Sequence, residues 1–446
     1  MHATQLWATW QALSLEVATG FTEPGQRRFV EWVTGLALNV EEHTITQSLI
    51  GLDRVQDWKG LESFAEYGSW NERLVQTSIS WAVERLPDGR WYGYRVWAGD
   101  DTKVHRSSPH VWGTCTFHEY TARCPNRAST VRAHNWVVLG TLLPAAEQPA
   151  RFLPVAGALY FRQGQLPRGE VFQTKCQLLV GLTRQQAAAV PGPHLLAMDG
   201  GFALRSVVRP LVLPPDPSQQ RIDFITRLRH DARLCALPPQ QRRTGQRGPM
   251  PKWGKALPPP RQGGRWPGAW QHGEAFLYGR RRQVRWKEVV CLWRVLGHEV
   301  RVKVVVAEVE GYRKRFTLVS SALELTGLQI VELFCARFRQ EDGFRDLKQR
   351  LGWEECRAWT KNPIVRTTLV LFVTLTLLRL LQYRLDEVAG ESWWLHPPWN
   401  TRKTRPSVLD VERLLWQQRP EIQRCLAAWL EKGEKAGQEA GQQVAM

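Results

Sequence analysis

The sequence predicts an α/β protein: a mixed sheet flanked by helices, interrupted by a β-rich insertion and preceded by an N-terminal helical domain. Three observations predict it. Apolar residues such as Phe29, Trp32, Val33 and Leu36 recur at helical spacing near the N-terminus. From Arg90 the period changes to short β-branched and aromatic runs bounded by Gly, Pro, Asp and Asn. Strands first, then alternation with helices, is the pattern of a mixed sheet. With 446 residues the chain can form several domains and bury a large core.

Residues 1–88 form the helical domain. The stretches Thr44–Leu52 and Leu61–Tyr67, separated by turn signals at Gly60 and Gly68-Ser69, are compatible with a helix-turn-helix module and equally with a plain bundle. Residues 89–232 form the first part of the sheet domain. Trp91–Ala98, Val111–Phe117 and Trp136–Leu142 read as strands, Glu170–Arg184 as a helix, and Leu195–Met198 and Arg221–Leu228 as strands. Residues 233–322 are a basic linker and β-rich insertion. Between Asp231 and Glu274 there is no acidic residue, while Arg233, Arg242, Arg243, Arg247, Lys252, Lys255, Arg261 and Arg265 alternate with Pro and Gly. Such a segment resists regular structure. It reads either as a solvated linker or as an arm lying along phosphates. Strand-like alternation returns from Val284 to Ser320. Residues 323–390 complete the sheet domain with a long helix from Leu325 to Arg350 and an apolar helix after Pro363, and 391–446 form a helical tail.

Lys and Arg number 60 against 42 Asp and Glu, a net charge of +18 that favours a polyanionic partner, nucleic acid before an acidic membrane. The longest apolar stretch, Thr367 to Leu381, is broken by Arg379 and is shorter than the ~20 residues of a bilayer span. The N-terminus lacks a basic region followed by a clean apolar run, so the expected location is cytoplasmic. The eight cysteines are scattered without a CxxC pair and read as reduced thiols. Cys115, His118 and Cys124, with His105 and His134 nearby, follow no zinc-ligand spacing. Trp81, Trp91 and Trp97 read as core. Lys103, Arg106 and Arg132 read either as groups near a bound polyanion or as solvated strand ends.

The segment FCARFRQEDGFRDLK carries the chemistry. On one continuous helix Phe334, Arg337, Glu341 and Lys348 fall within roughly 60° of one another. Leu333, Phe344, Leu347 and Leu351 form a neighbouring stripe suited to a sheet. Two acidic sites precede it: Asp100-Asp101-Thr102 at the end of the first predicted strand and Asp199-Gly200-Gly201 at the end of a later one. Carboxylates on a first strand, a later strand and a late helix follow the ribonuclease-H-like order. Three converging carboxylates repel unless cations neutralise them. Hard oxygen ligands select Mg²⁺ or Mn²⁺, and two such ions suit phosphodiester chemistry.

The chain here resembles the DDE-class transposases of bacterial insertion sequences that carry a Y-x2-R-x3-E-x6-K signature. It reads Phe334-x2-Arg337-x3-Glu341-x6-Lys348, with every spacing kept and Phe in place of Tyr. The resemblance spans roughly Trp91 to Leu381. It implies a catalytic and metal-binding triad of Asp100, Asp199 and Glu341, with Asp101 as the alternative first carboxylate. It also implies Arg337, Arg345 and Lys348 on DNA, two Mg²⁺ or Mn²⁺ ions, a homodimer on element ends and target DNA, and a nucleoid-associated location. Relatives that form hairpins flip a base onto an insertion-domain aromatic, for which Phe316 is the nearest match; a core strand position explains Phe316 better. Two alternatives remain: a DNA-binding relic without catalysis, and a ribonuclease-H-like nuclease of repair or RNA.

Overall fold

The computed structural model describes residues 3–119, 129–145, 148–241, 248–390 and 392–444. Cys124, Arg242, Arg243 and Arg247 lie outside them. Four helices open the chain: α1 (Ala3–Val17), α2 (Glu23–Leu38), α3 (Trp58–Tyr67) and α4 (Glu72–Glu84). Pro24 in the first turn starts α2, and the Asn71 side chain caps α4 by accepting from the Leu74 amide. Phe21, Phe29, Trp32, Phe64 and Trp70 pack together between them, Trp70 edge-on to Phe21 at 4.8 Å.

The sheet begins with β1 (Arg95–His105), β2 (Cys115–His118), β3 (Thr130–Leu143) and β4 (Arg151–Tyr160). Then follow α5 (Lys175–Ala189), β5 (His194–Met198), α6 (Arg205–Val212) and β6 (Ile222–Arg227). Strands β4, β3 and β1 are antiparallel neighbours, and β1, β5 and β6 run parallel. A mixed sheet with helices on both faces results, consistent with the ribonuclease-H-like expectation. Strand β4 was not expected, because Pro154 lies within it. Among the described residues it pairs only with β3, an edge position that tolerates a Pro without its donor, and the register shifts at Leu139/Gly140 beside it.

Beyond β6 the chain forms β7 (Leu234–Cys235), β8 (Gln271–Leu277), β9 (Arg280–Trp293), β10 (Arg301–Val309) and β11 (Phe316–Ser320). These strands extend the first sheet: β11 pairs with β6, and β10, β9 and β7 continue the order. Even the acid-free segment holds a short strand, β7, and a kinked 3₁₀ segment at Pro260–Arg265. The rest of the chain is helical: α7 (Gly327–Ala336), α8 (Arg339–Gln349), α9 (Lys361–Ala389), α10 (Val408–Gln417) and α11 (Arg419–Val444).

Helix α5 covers one face of β1, where a Cβ on Gly99 would meet Leu179 at 2.5 Å. Helices α8 and α9 cover the other. Gln340 Nε2 donates to the Val138 carbonyl on that face, and Phe372 of α9 lies against Gly157 of β4. Helix α9 is long and apolar enough to cross a membrane by composition, which the shorter Thr367–Leu381 stretch did not suggest. Yet 89% of its apolar window is buried inside the fold, where it packs on β4 and α1–α4. Buried Arg366 ties it to the N-terminal helices through the Ala65 and Glu66 carbonyls and Glu72.

The ring of Phe152 on β4 is wedged between two glycines. A Cβ on Gly140 would fall 2.2 Å from the ring, and one on Gly343 of α8 would fall 2.3 Å from it. Gly343→Ala is therefore expected to cost about 1–3 kcal/mol through overpacking. Chemical denaturation measures it, and a loss within error of zero would show that Phe152 yields freely.

Candidate active site

Strands β1 and β5 are parallel neighbours with Gly99 opposite Met198. The next residue on each is an aspartate, so Asp100 and Asp199 emerge side by side at the spacing of adjacent strands, about 5 Å. Asp100 does not end its strand as the sequence suggested; β1 continues to His105, with Asp100 opposite Val138 of β3. Polar residues from Asp100 to Lys103 resemble a turn in sequence, but β3 supplies their backbone partners. Alternation along β1 also separates the two candidate first carboxylates. Asp100 faces α7 and α8, whereas Asp101 faces α5 and pairs with Lys175 at 2.6 Å.

The arginine that meets both aspartates comes from the other end of the chain. Arg337 Nη1 donates to Asp100 Oδ2 at 3.2 Å, and Nη2 lies 3.9 Å from Asp199 Oδ1. Its guanidinium lies over the buried Phe334 ring at 5.7 Å. The expected single helix tightens here: α7 ends at Ala336, Arg337 and Phe338 keep helical dihedrals while the hydrogen bonds shorten to a three-residue spacing, and α8 begins at Arg339. Arg337 reaches the strand ends from this turn, with its Nε buried and without a partner.

Burial raises the Asp100 carboxyl to about 6. Arg337 and the Asp101 backbone amide pull the other way, while Asp101 and Asp199 add to the rise. Asp199, half exposed, is anchored through its backbone, since Thr226 Oγ1 donates to its carbonyl at 3.0 Å.

Glu341 lies in the first turn of α8, exposed, with no side-chain partner among the described residues. The preceding residue, Gln340, is fully buried and reaches the Val138 carbonyl directly across from Asp100. That hydrogen bond fixes the start of α8 level with Asp100, a positioning role that a single polar letter did not announce. Lys348, seven residues on, donates to the Lys103 carbonyl of β1 at 2.5 Å and lies 3.8 Å from Glu354. Burial lowers its pKa against the pull of Glu354 and Glu119. Arg345 is exposed and pairs with Asp342 at 2.8 Å.

The remaining candidates are occupied elsewhere. Lys103 donates to the His118 carbonyl, Arg106 to the Trp353 and Glu354 carbonyls, and Arg132 to the Thr114 and Thr116 hydroxyls. His134 is buried and held neutral, its pKa lowered to about 4 by burial and by Arg106. Phe316 is buried in β11 and touches Tyr312, which leads through Tyr278 to Phe338, a half-exposed ring beside Arg337.

Among the described residues no three His, Cys, Asp or Glu side chains form a group that could hold a metal ion. The pair Asp100 and Asp199 nevertheless suits a hard divalent cation: both donors are carboxylates and both already face one positive charge. The orphaned Arg337 Nε marks this pairing as an incompletely satisfied arrangement.

Comparison with known proteins gives one family. The sequence model described as DDE superfamily endonuclease matches residues 16–294, which include both aspartates and end before Glu341. No curated protein matches the chain.

Proposed function

Because the chain belongs to the DDE superfamily endonucleases, whose substrate is DNA and which generally use divalent metal ions, we propose that it is a transposase. It cuts DNA at the ends of a mobile element and transfers the freed 3′ end into target DNA. The observation that carries this reading is the aspartate pair of two adjacent parallel strands, facing one arginine from a helix far along the chain.

In this reading Asp100 and Asp199 hold the metal, with Glu341 as the third carboxylate. Bound Mg²⁺ or Mn²⁺, as two ions, supplies an activated water or 3′-hydroxyl and charge relief at the phosphorus. Arg337 neutralises the aspartates when no ion is present and presents the same fork to a phosphate once released. Arg345, itself exposed, exchanges Asp342 for DNA, and Asp342 keeps Arg339 as a partner. Lys348, fixed on β1, offers a point charge beside the strand that carries Asp100. The N-terminal helices contact the element end, residues 233–322 act as the family's β-rich insertion, and two protomers act together on two ends in a nucleoid-associated complex.

The test is cleavage of labelled DNA carrying the flanking element end, in Mg²⁺ or Mn²⁺. Asp199→Ala and Glu341→Ala are each expected to bind DNA but to cut at least about 10³-fold more slowly, roughly 4 kcal/mol of transition-state stabilisation. If wild type and both variants bind and none cuts, the chain is a DNA-binding relic. If wild type nicks but never joins ends, it is a nuclease of another kind.

A further inference from the structure

A second feature adjoins the aspartate pair. A groove of about 410 Å³ starts at Gly200, the residue after Asp199, and is lined by Arg227, Arg229, His230, Arg261 and Arg315. No carboxylate lines it. Its walls come from three parts of the chain held by backbone hydrogen bonds. The end of β6 meets the start of β11 through the Leu228 amide and the Thr317 carbonyl, 2.8 Å apart. The acid-free segment joins them through the Arg261 amide and the His230 carbonyl at 3.2 Å.

Arg261 is presented rigidly. It follows Pro258-Pro259-Pro260, and the buried Trp266 indole donates to the Pro258 carbonyl at 2.9 Å. Arg227 follows Thr226, the residue whose hydroxyl anchors Asp199. The groove is therefore joined mechanically to the site as well as lying beside it.

Its charge is incompletely balanced. Arg229 pairs with Asp231 and Arg315 with Glu308, both arginines largely exposed. Such pairs are weak and exchange readily for phosphate oxygens. Arg227 and Arg261 are exposed, and neither has a side-chain hydrogen bond or ion pair among the described residues. Arginines converging on a cleft without carboxylates form a binding site for a polyanion.

We infer that this groove holds the phosphodiester backbone of the DNA strand that runs past Asp199, with Arg227 and Arg261 as phosphate contacts. The inference rests on the reading of the aspartate pair as a DNA-cutting site. It also gives the acid-free segment a role, since its proline-rich turn carries one arginine to the edge of the site.

The test compares the full-length wild type with Arg227→Gln/Arg261→Gln on labelled element-end duplex and on a duplex of unrelated sequence. Each lost phosphate contact lowers the slope of log affinity against log salt by about 0.9. From 50 to 200 mM salt the wild type is thus expected to lose about 12-fold more affinity than the double variant, on both duplexes. Arg227→Lys/Arg261→Lys restores the slope because it restores the charge, and ethylation interference shows the lost contacts on one side of the scissile phosphate. Thermal melting verifies that the variants fold. If wild type binds and cuts while the glutamine variant keeps the full salt slope, the groove assignment falls and the catalytic reading stands. If wild type binds no DNA, both fall.

Discussion

Asp100→Asn is expected to abolish cleavage while leaving the metal-free protein at least as stable as wild type. The two effects share one cause. Burial raises the Asp100 carboxyl to about 6 from an ordinary 3.8, so the folded chain holds this proton more tightly than the unfolded chain. The stability contributed by the neutral form is complete below about pH 4 and is lost as pH rises through about 6. At neutral pH the ionised carboxylate therefore costs up to about 3 kcal/mol, at 1.36 kcal/mol per pH unit, and asparagine avoids that cost. Arg337 loses an ionic partner in exchange, which trims the gain. Cleavage should fall by at least about 10³-fold, since a neutral amide is a poor ligand for a hard cation. Wild-type metal affinity should weaken as pH falls through about 6, because the carboxylate must be unprotonated to bind. Melts in chelator beside cleavage assays check both sides; a lower melting temperature with cleavage intact would overturn the account.

Asp346→Ala should destabilise the fold strongly. Asp346 is buried, accepts from Arg379 Nη2 of α9 at 2.8 Å and lies 3.4 Å from Arg350. Removing it strands the Arg379 guanidinium, whose Nε is already buried without a partner. Breaking one side of a buried pair costs about 3–5 kcal/mol, whereas replacing both sides with apolar groups is often neutral. Asp346→Leu/Arg379→Met should therefore recover most of the loss. Glu412 reports on the same cluster: burial raises its carboxyl to about 7 against the pull of Arg350, and Asp346 contributes to the rise. Its pKa should drop in the alanine variant. Since Glu341 and Lys348 sit on the same helix, cleavage should fall with stability. Denaturant unfolding of wild type and the two variants decides the matter, and an Asp346→Ala loss under about 1 kcal/mol would refute a dominant role for the pair.

Much of the fold class was legible because it rests on periodicity: the helical N-terminus, the β-branched runs and the late apolar helix carry their signals locally. What sequence could not supply depends on partners. β4 hid behind Pro154, which an edge strand tolerates, and β1 was cut short at polar residues whose hydrogen bonds come from β3. The acid-free segment looked unstructured, yet backbone bonds to β9 and to the His230 carbonyl beyond the end of β6 draw it onto the sheet. At the site, the motif spacing selected Arg337 and Glu341, but the stripe could not show what each member meets. Arg337 meets the aspartates, Lys348 meets a β1 carbonyl, and Glu341 faces solvent. Gln340 escaped notice because its partner, the Val138 carbonyl, is a backbone atom 202 positions away.

The distribution of the site along the chain also bears on its synthesis. Asp199 leaves the ribosome 142 positions before Glu341 and 138 before Arg337. At roughly 5–20 residues per second, that interval is about 7–28 s. A nascent chain of that length carries both aspartates but neither the arginine that relieves their repulsion nor the helix that bears Glu341, the proposed third carboxylate. Side-by-side closure of β1 and β5 at their aspartate ends is thus opposed by like charge until Arg337 emerges. On the proposed reading, DNA-cutting chemistry is thereby delayed, and a product ending before Arg337 carries the two aspartates without the arginine that faces them.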